Sequence, residues 1–483
     1  MARVLGLFLV VVACALAGAA AAAQPPNRPL ETGIMDPDHF PVVNTDAPFR
    51  LAEGTGAHYV RLGLTWAEVA PGGVTKPAFD ATNPFDPAYF WNSFDKEVTY
   101  AVDHGFQPIV SIQWAPQWAQ DRTGNDGPVT TEGIVRPDPA AFADFARAAA
   151  TRYNGNHGLP RVRYWQAWNE PNISFYLAPE YVGEKLFGPM WYRSMLNAFS
   201  TAVHDVDPTN VVIAGGLAPY GSEAPAAPGV PPLTFMRAML CMSAGAHPKP
   251  TCSAHSSFDI WSTHPYTWGG PTHSAYNRND VALGDLSKVK ALLDAAVAAH
   301  HVTSSDAVRF WVTEFSWDSN PPDPKAVPIA IQTRWVSQAL YEMWNDGVSM
   351  VTWFLLEDES YPDSPYQSGL YTIDGKPKPT LQAFRFPFVA LPSGSGTLVW
   401  GRTPTSTSGH VVVEQKVGGT WRLVVTLNAN RFGIFQTTVP LRARTGYLRA
   451  RIVAPTATQS AGDISLPFGL KAVPDKRYPP FGG

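Results

Sequence analysis

From about residue 30 to 385, short runs of β-branched and aromatic residues alternate with stretches of 3.6-residue apolar period. No other feature constrains the fold of this chain as much. Such alternation builds a parallel sheet, because a helix must return the chain to the starting edge between consecutive strands. The strand candidates are 33–35, 58–64, 108–114, 162–168, 211–216, 258–264, 310–315 and 350–355. Between them lie stripes such as Phe90, Trp91, Phe94, Val98 and Val102, stopped by Gly105, and Phe142, Phe145, Ala149 and Tyr153, stopped by Gly155. A closed (β/α)8 TIM barrel is favoured over an open doubly wound sheet, since no Gly-rich phosphate loop follows the first strand.

The texture changes after Pro392. Ser393-Gly394-Ser395-Gly396 reads as a linker, and alternating strands follow at 410–417, 421–428, 432–439 and 447–453, with Gly418-Gly419 as a hairpin turn. The expected division is a signal peptide at 1–23, a barrel at 24–390, a linker and first strand at 391–409, a small all-β sandwich at 410–470, and a Pro-rich tail at 471–483 without assigned structure. The signal is the apolar run from Val4 to Ala19 after Arg3, with small residues to Ala23. Export to the extracellular space follows, by cleavage or with the run kept as an anchor; the mature chain should have no membrane span and be a monomer. Cys241 and Cys252 would then be bridged; two thiols 11 apart lack the second close pair of a zinc site.

Composition excludes some partners. With 36 Lys and Arg against 40 Asp and Glu, the chain carries no basic footprint for nucleic acid. Its 16 Trp, 17 Tyr and 25 Phe suit a neutral sugar substrate, although most of these rings belong to a core.

Chemistry enters at two strand ends. In Tyr164-Trp165-Gln166-Ala167-Trp168-Asn169-Glu170-Pro171, a buried strand stops at a carboxylate; Phe310-Trp311-Val312-Thr313-Glu314-Phe315 does the same. These are the fourth and seventh strands, and the C-terminal rim of a barrel is where reacting groups sit. Two carboxyls facing each other there suit glycoside hydrolysis, one protonating the leaving oxygen and one attacking the anomeric carbon. Their mutual charge should raise the pKa of the acid. No His-Glu-x-x-His, Gly-x-Ser-x-Gly or Walker motif is found, so no metal or cofactor is expected.

The Asn-Glu-Pro and Thr-Glu-Phe segments resemble those of glycoside hydrolase clan A, nearest to its families 5 and 39 and cellulase-like in texture. The resemblance spans roughly residues 30 to 385. It implies a retaining β-glycosidase acting on an oligo- or polysaccharide, with Glu170 as acid/base, Glu314 as nucleophile and Asn169 on the sugar 2-hydroxyl. Arg61 is similar to the arginine that bonds the nucleophile, His264 and Tyr266 to the strand-six His-x-Tyr, and Trp353 to the strand-eight platform. Arg61 and His264 also admit purely structural roles. Where many relatives have a strand-three histidine this chain has Ser111-Ile112-Gln113-Trp114, and Gln113 and Trp114 are expected to touch substrate. A transglycosylase using the same pair, or a degenerate carbohydrate-binding barrel, remain alternatives. Glu357, Asp358 and Glu359 read as a solvated loop, with binding of sugar hydroxyls at the pocket edge as the alternative, and Asn172-Ile173-Ser174 matches a glycosylation sequon, a pattern short enough to arise by chance.

Overall fold

The computed structural model describes residues 27–41, 44–121, 132–441, 445–453, 461–473 and 476–481. The expected signal peptide lies outside them. A closed parallel barrel forms from β1 (Glu31–Met35), β2 (Tyr59–Thr65), β3 (Gln107–Gln113), β4 (Tyr164–Ala167), β5 (Val211–Leu217), β6 (Ile260–Thr263), β7 (Arg309–Phe315) and β8 (Met350–Phe354), each hydrogen-bonded to its sequence neighbour and β8 to β1. Every strand expected from the sequence is present. The crossovers are α1 (Ala47–Glu53), α2 (Asn92–Asp103), α3 (Pro139–Arg152), α4 (Gly188–Val206), α5 (Pro232–Leu240), α6 (Leu286–Ala298) and α7 (Ile329–Asn345), and α8 (Pro379–Arg385) follows β8.

Helix α3 shows how local chemistry sets these boundaries. Asp138 caps it by accepting from the Ala141 amide at 2.7 Å, and Pro139 needs no partner in the first turn. Its Phe142, Phe145 and Ala149 are buried, as their spacing demands. Inside the barrel the opposite end is sealed by a layer of Tyr59, Ile109, Tyr164, Val211, Ile213, Ile260, Trp311 and Met350. With its floor filled, the barrel is open for a ligand only at the other rim.

The remainder is all β. One antiparallel sheet comprises β9 (Phe388–Ser393), β10 (Gly396–Arg402) and β13 (Ile434–Val439); the other orders as β12 (Thr420–Ala429), β11 (Gly409–Val417), β14 (Tyr447–Ile452) and β15 (Phe468–Gly469). Gly418 and Gly419, at φ of 56° and 84°, make the β11–β12 turn as expected. Residues 393–396 differ from the expectation: they are the turn of the β9–β10 hairpin, in which Ser393 pairs with Gly396, so the β module begins at Phe388 and no free linker separates it. Trp400 packs on Tyr341 and Trp344 of α7, and the buried Arg402 donates to the Leu30 carbonyl at 2.8 Å. One apolar core runs through both parts.

Other local expectations are settled. Cys241 and Cys252 are joined. Asp358 is buried against Lys378, and Glu359 accepts from the Ser364 hydroxyl, so 357–359 is a packed loop rather than a solvated one. Asn172 is 0% exposed, its amide donating to Ala218 and Val230 carbonyls at 3.1 and 3.0 Å; the sequon is a coincidence of spacing.

Candidate active site

The rim of β4 and β7 brings the two carboxyls together. Oxygens of Glu170 and Glu314 and a ring nitrogen of His264 all lie within 4.8 Å of one another. Glu314 is aimed by a bulge: against β8, Val312 pairs with Val351 and Phe315 with Trp353, so β7 carries one extra residue. A bulge breaks strict alternation, and here Phe315 packs behind the strand on Trp353 while Glu314 lines the pocket. At the end of β4, Trp168 and Glu170 have φ of 73° and 41°, left-handed values uncommon for side-chain-bearing residues. This backbone is held, with the Glu170 amide donating to Gly216 at 3.0 Å. Gly216 itself has φ of 61°, and a side chain there would strike the Gln166 amide at 2.6 Å and crowd His264 at 3.3 Å.

Arg61 organises the centre. From a buried position on β2 its guanidinium donates to Glu314 Oε2 at 2.9 Å, Asn169 Oδ1 at 2.6 Å and Gln166 Oε1 at 3.0 Å. Engaging Asn169 through its carbonyl leaves the amide NH2 as the end that can donate. Tyr266 donates to the other Glu314 oxygen at 2.7 Å, so both oxygens of that carboxylate are fixed. Gln166 extends this network, and sequence reasoning missed it; its place two residues after the inward-facing Tyr164 was the available signal.

His264 is fully buried, which lowers its pKa to about 3 and keeps the ring neutral. Its Nδ1 lies 2.9 Å from Glu170 Oε1 and its Nε2 3.1 Å from Thr313 Oγ1. A neutral imidazole donates from one nitrogen and accepts at the other, and both partners can serve either role. Glu170 is raised to about 7, mainly by burial, with Arg61 opposing. The sequence expectation attributed this rise to the charge of Glu314; desolvation is the cause.

One hollow reaches Arg61 and a second holds the two carboxyls. The first, of about 340 Å³, is lined by Met35, Asp36, Arg61, Glu97, Gln113 and Trp114, so the two strand-three residues border it as a pair. Trp114 also stacks on Tyr176 at 6.2 Å. The second, of about 510 Å³, contains Glu170 and Glu314 among Tyr176, Tyr220, Tyr266, Trp268, Phe354, Tyr366 and Phe481. Trp353 is not there. It is 1% exposed, donates to the Ser368 carbonyl at 2.8 Å and touches Phe384 of α8. Met350 points into the barrel, so alternation turns Phe354 inward and Trp353 out. The strand-eight ring at the pocket is Phe354.

The barrel is similar in fold to solved glycoside hydrolases. A family 39 glycoside hydrolase from the gut symbiont Bacteroides cellulosilyticus aligns at a TM-score of 0.50 and 18% identity, over 92% of this chain and 80% of that one. The family 39 enzyme from Xanthomonas axonopodis pv. citri aligns at 0.48 and 16% identity, covering 86% and 92%, and a glucosidase from Croceicoccus marinus at 0.46 and 13%, covering 86% and 93%. At such identities the likeness is one of fold. No protein-family model and no curated protein matches the sequence.

Proposed function

We propose that this protein is a retaining glycoside hydrolase that cleaves β-linked oligo- or polysaccharides by double displacement. The observation that carries the reading is the close approach of Glu170 and Glu314, one oxygen of each lying within 4.8 Å of the other. Retaining enzymes hold their carboxyls about 5 to 5.5 Å apart, whereas inverting ones need about 6.5 to 9.5 Å to admit a water.

In the first step Glu170, protonated because of its burial, gives its proton to the glycosidic oxygen as the C1–O bond breaks. Glu314 forms an ester to C1 in the same step. The leaving group takes the proton away, and Glu170, now ionised, removes a proton from water. That water attacks C1, the ester breaks, and both carboxyls return to their starting forms. Arg61 and Tyr266 hold Glu314 for attack, and Asn169 is placed to grip a hydroxyl of the same sugar. An extracellular location agrees with the Cys241–Cys252 bridge.

The test is mechanism-based labelling. A 2-fluoro glycoside should trap an ester on Glu314, read by peptide mass, and NMR of the first product should show retained configuration. Label on another residue, or inverted product, would sink the assignment.

A further inference from the structure

The pocket around the two carboxyls has a wall that the barrel does not supply. Residues 476–481, in the span expected to lack assigned structure, return from the β module across the barrel mouth. The Gly269 amide donates to the Tyr478 carbonyl at 2.8 Å and the Asp318 amide to the Pro480 carbonyl at 2.9 Å, which ties the segment to the loops after β6 and β7. Tyr478 packs on Trp335 of α7. Pro479 and Pro480 have restricted φ, so little backbone entropy is lost in holding the next residue.

That residue is Phe481. Its ring centroid lies 4.5 Å from Tyr266, 5.3 Å from Tyr366 and 6.2 Å from Phe354. Tyr266, which holds Glu314, is thereby nearly buried, yet Phe481 stays partly exposed. A residue that only covered core would show no face to the hollow. A plug would separate the carboxyls from it, but both still line about 510 Å³ of open space together with Phe481. The remaining geometry is a wall, and an aromatic face suits the C–H face of a sugar ring or an aryl group.

We propose that Phe481 is a substrate-stacking residue of the catalytic pocket, seating an apolar ring face of the bound glycoside and determining which rings fit. This rests on the glycosidase reading above. The recognised chemistry is a glycoside with at least one flat, C–H-rich or aryl face.

The experiment uses the full chain carrying Phe481→Leu or Phe481→Trp, assayed on the 4-nitrophenyl β-glycoside that the unaltered protein cleaves fastest, with thermal melting in parallel. Leucine keeps the apolar volume and removes the aromatic face. F481L should raise KM roughly five- to tenfold, with a smaller change in kcat, while F481W should keep KM near its starting value. An unchanged KM in F481L would reduce Phe481 to a structural cover, and an increased kcat/KM would make it a plug; either overturns the proposal. A wild-type protein that turns over nothing and is not labelled at Glu314 would overturn the glycosidase reading and this one together, whereas an active enzyme indifferent to F481L overturns only this one.

Discussion

His264 Nδ1 sits 2.9 Å from Glu170 Oε1, so a neutral imidazole is the immediate neighbour of that carboxyl. The proposed mechanism needs Glu170 protonated at the start of each cycle. As pH rises through about 7 the proton is lost, and kcat/KM should fall about tenfold per unit above that midpoint. His264 should add no inflection between pH 5 and 8, because its own pKa is near 3. Ring resonances followed by NMR check this directly; a His264 that charges near pH 6.5 would contradict the geometry.

Arg61 serves Glu314, Asn169 and Gln166 with one planar group, which a lysine cannot reproduce. Arg61→Lys should lower kcat/KM by roughly 100-fold or more, by analogy with removal of one preorganised donor. Steady-state kinetics on an aryl glycoside measures it. A loss under fivefold would mean that Arg61 only braces the barrel.

The two neighbouring rings of β8 should behave differently. Phe354 faces the pocket, so Phe354→Ala should raise KM; Trp353 is buried behind the strand, so Trp353→Ala should destabilise by about 3 to 5 kcal/mol. Denaturant unfolding and kinetics on the pair separate the roles. The reverse pattern would restore Trp353 as the platform.

Glu97 on α2 is 5% exposed, and burial raises its pKa from 4.5 to about 8, with the charge of Glu68 adding to it. Between those values the folded chain binds a proton that the unfolded chain has released, so stability falls as pH climbs from 4.5 to about 8. Glu97→Gln should remove this dependence and raise stability at pH 8 by on the order of 4 kcal/mol. Urea unfolding at pH 5 and pH 8.5 is the measurement, and an unaltered slope would exclude Glu97 as its source.

Asn172 joins the loop after β4 to the Ala218 and Val230 backbones. Asn172→Ala leaves two buried carbonyls and one amide without that partner and should cost about 2 to 3 kcal/mol. Intact mass after expression in a glycosylating host should show no glycan at this position.

Much of this was readable because strand and helix periods are strong local signals. Every barrel strand could be placed, and a carboxylate that ends an apolar strand announces a rim position, as Glu170 and Glu314 do. Trp353 failed for a definite reason. In Met350-Val351-Thr352-Trp353-Phe354 both faces are buried, so polarity alone does not fix the phase; only Met350 in the barrel floor does. The Ser-Gly stretch at 393–396 was ambiguous because linkers and tight turns draw on the same residues. Phe481 was invisible for another reason. Its partners lie more than a hundred positions away, and a Pro-rich segment has no periodicity to report them.

The return of residues 476–481 to the barrel mouth also orders events in time. Glu170 and Glu314 leave the ribosome long before the ring that completes their enclosure, and Arg402, which holds the first strand, comes between. A nascent chain can thus carry both carboxyls and still lack the finished chamber.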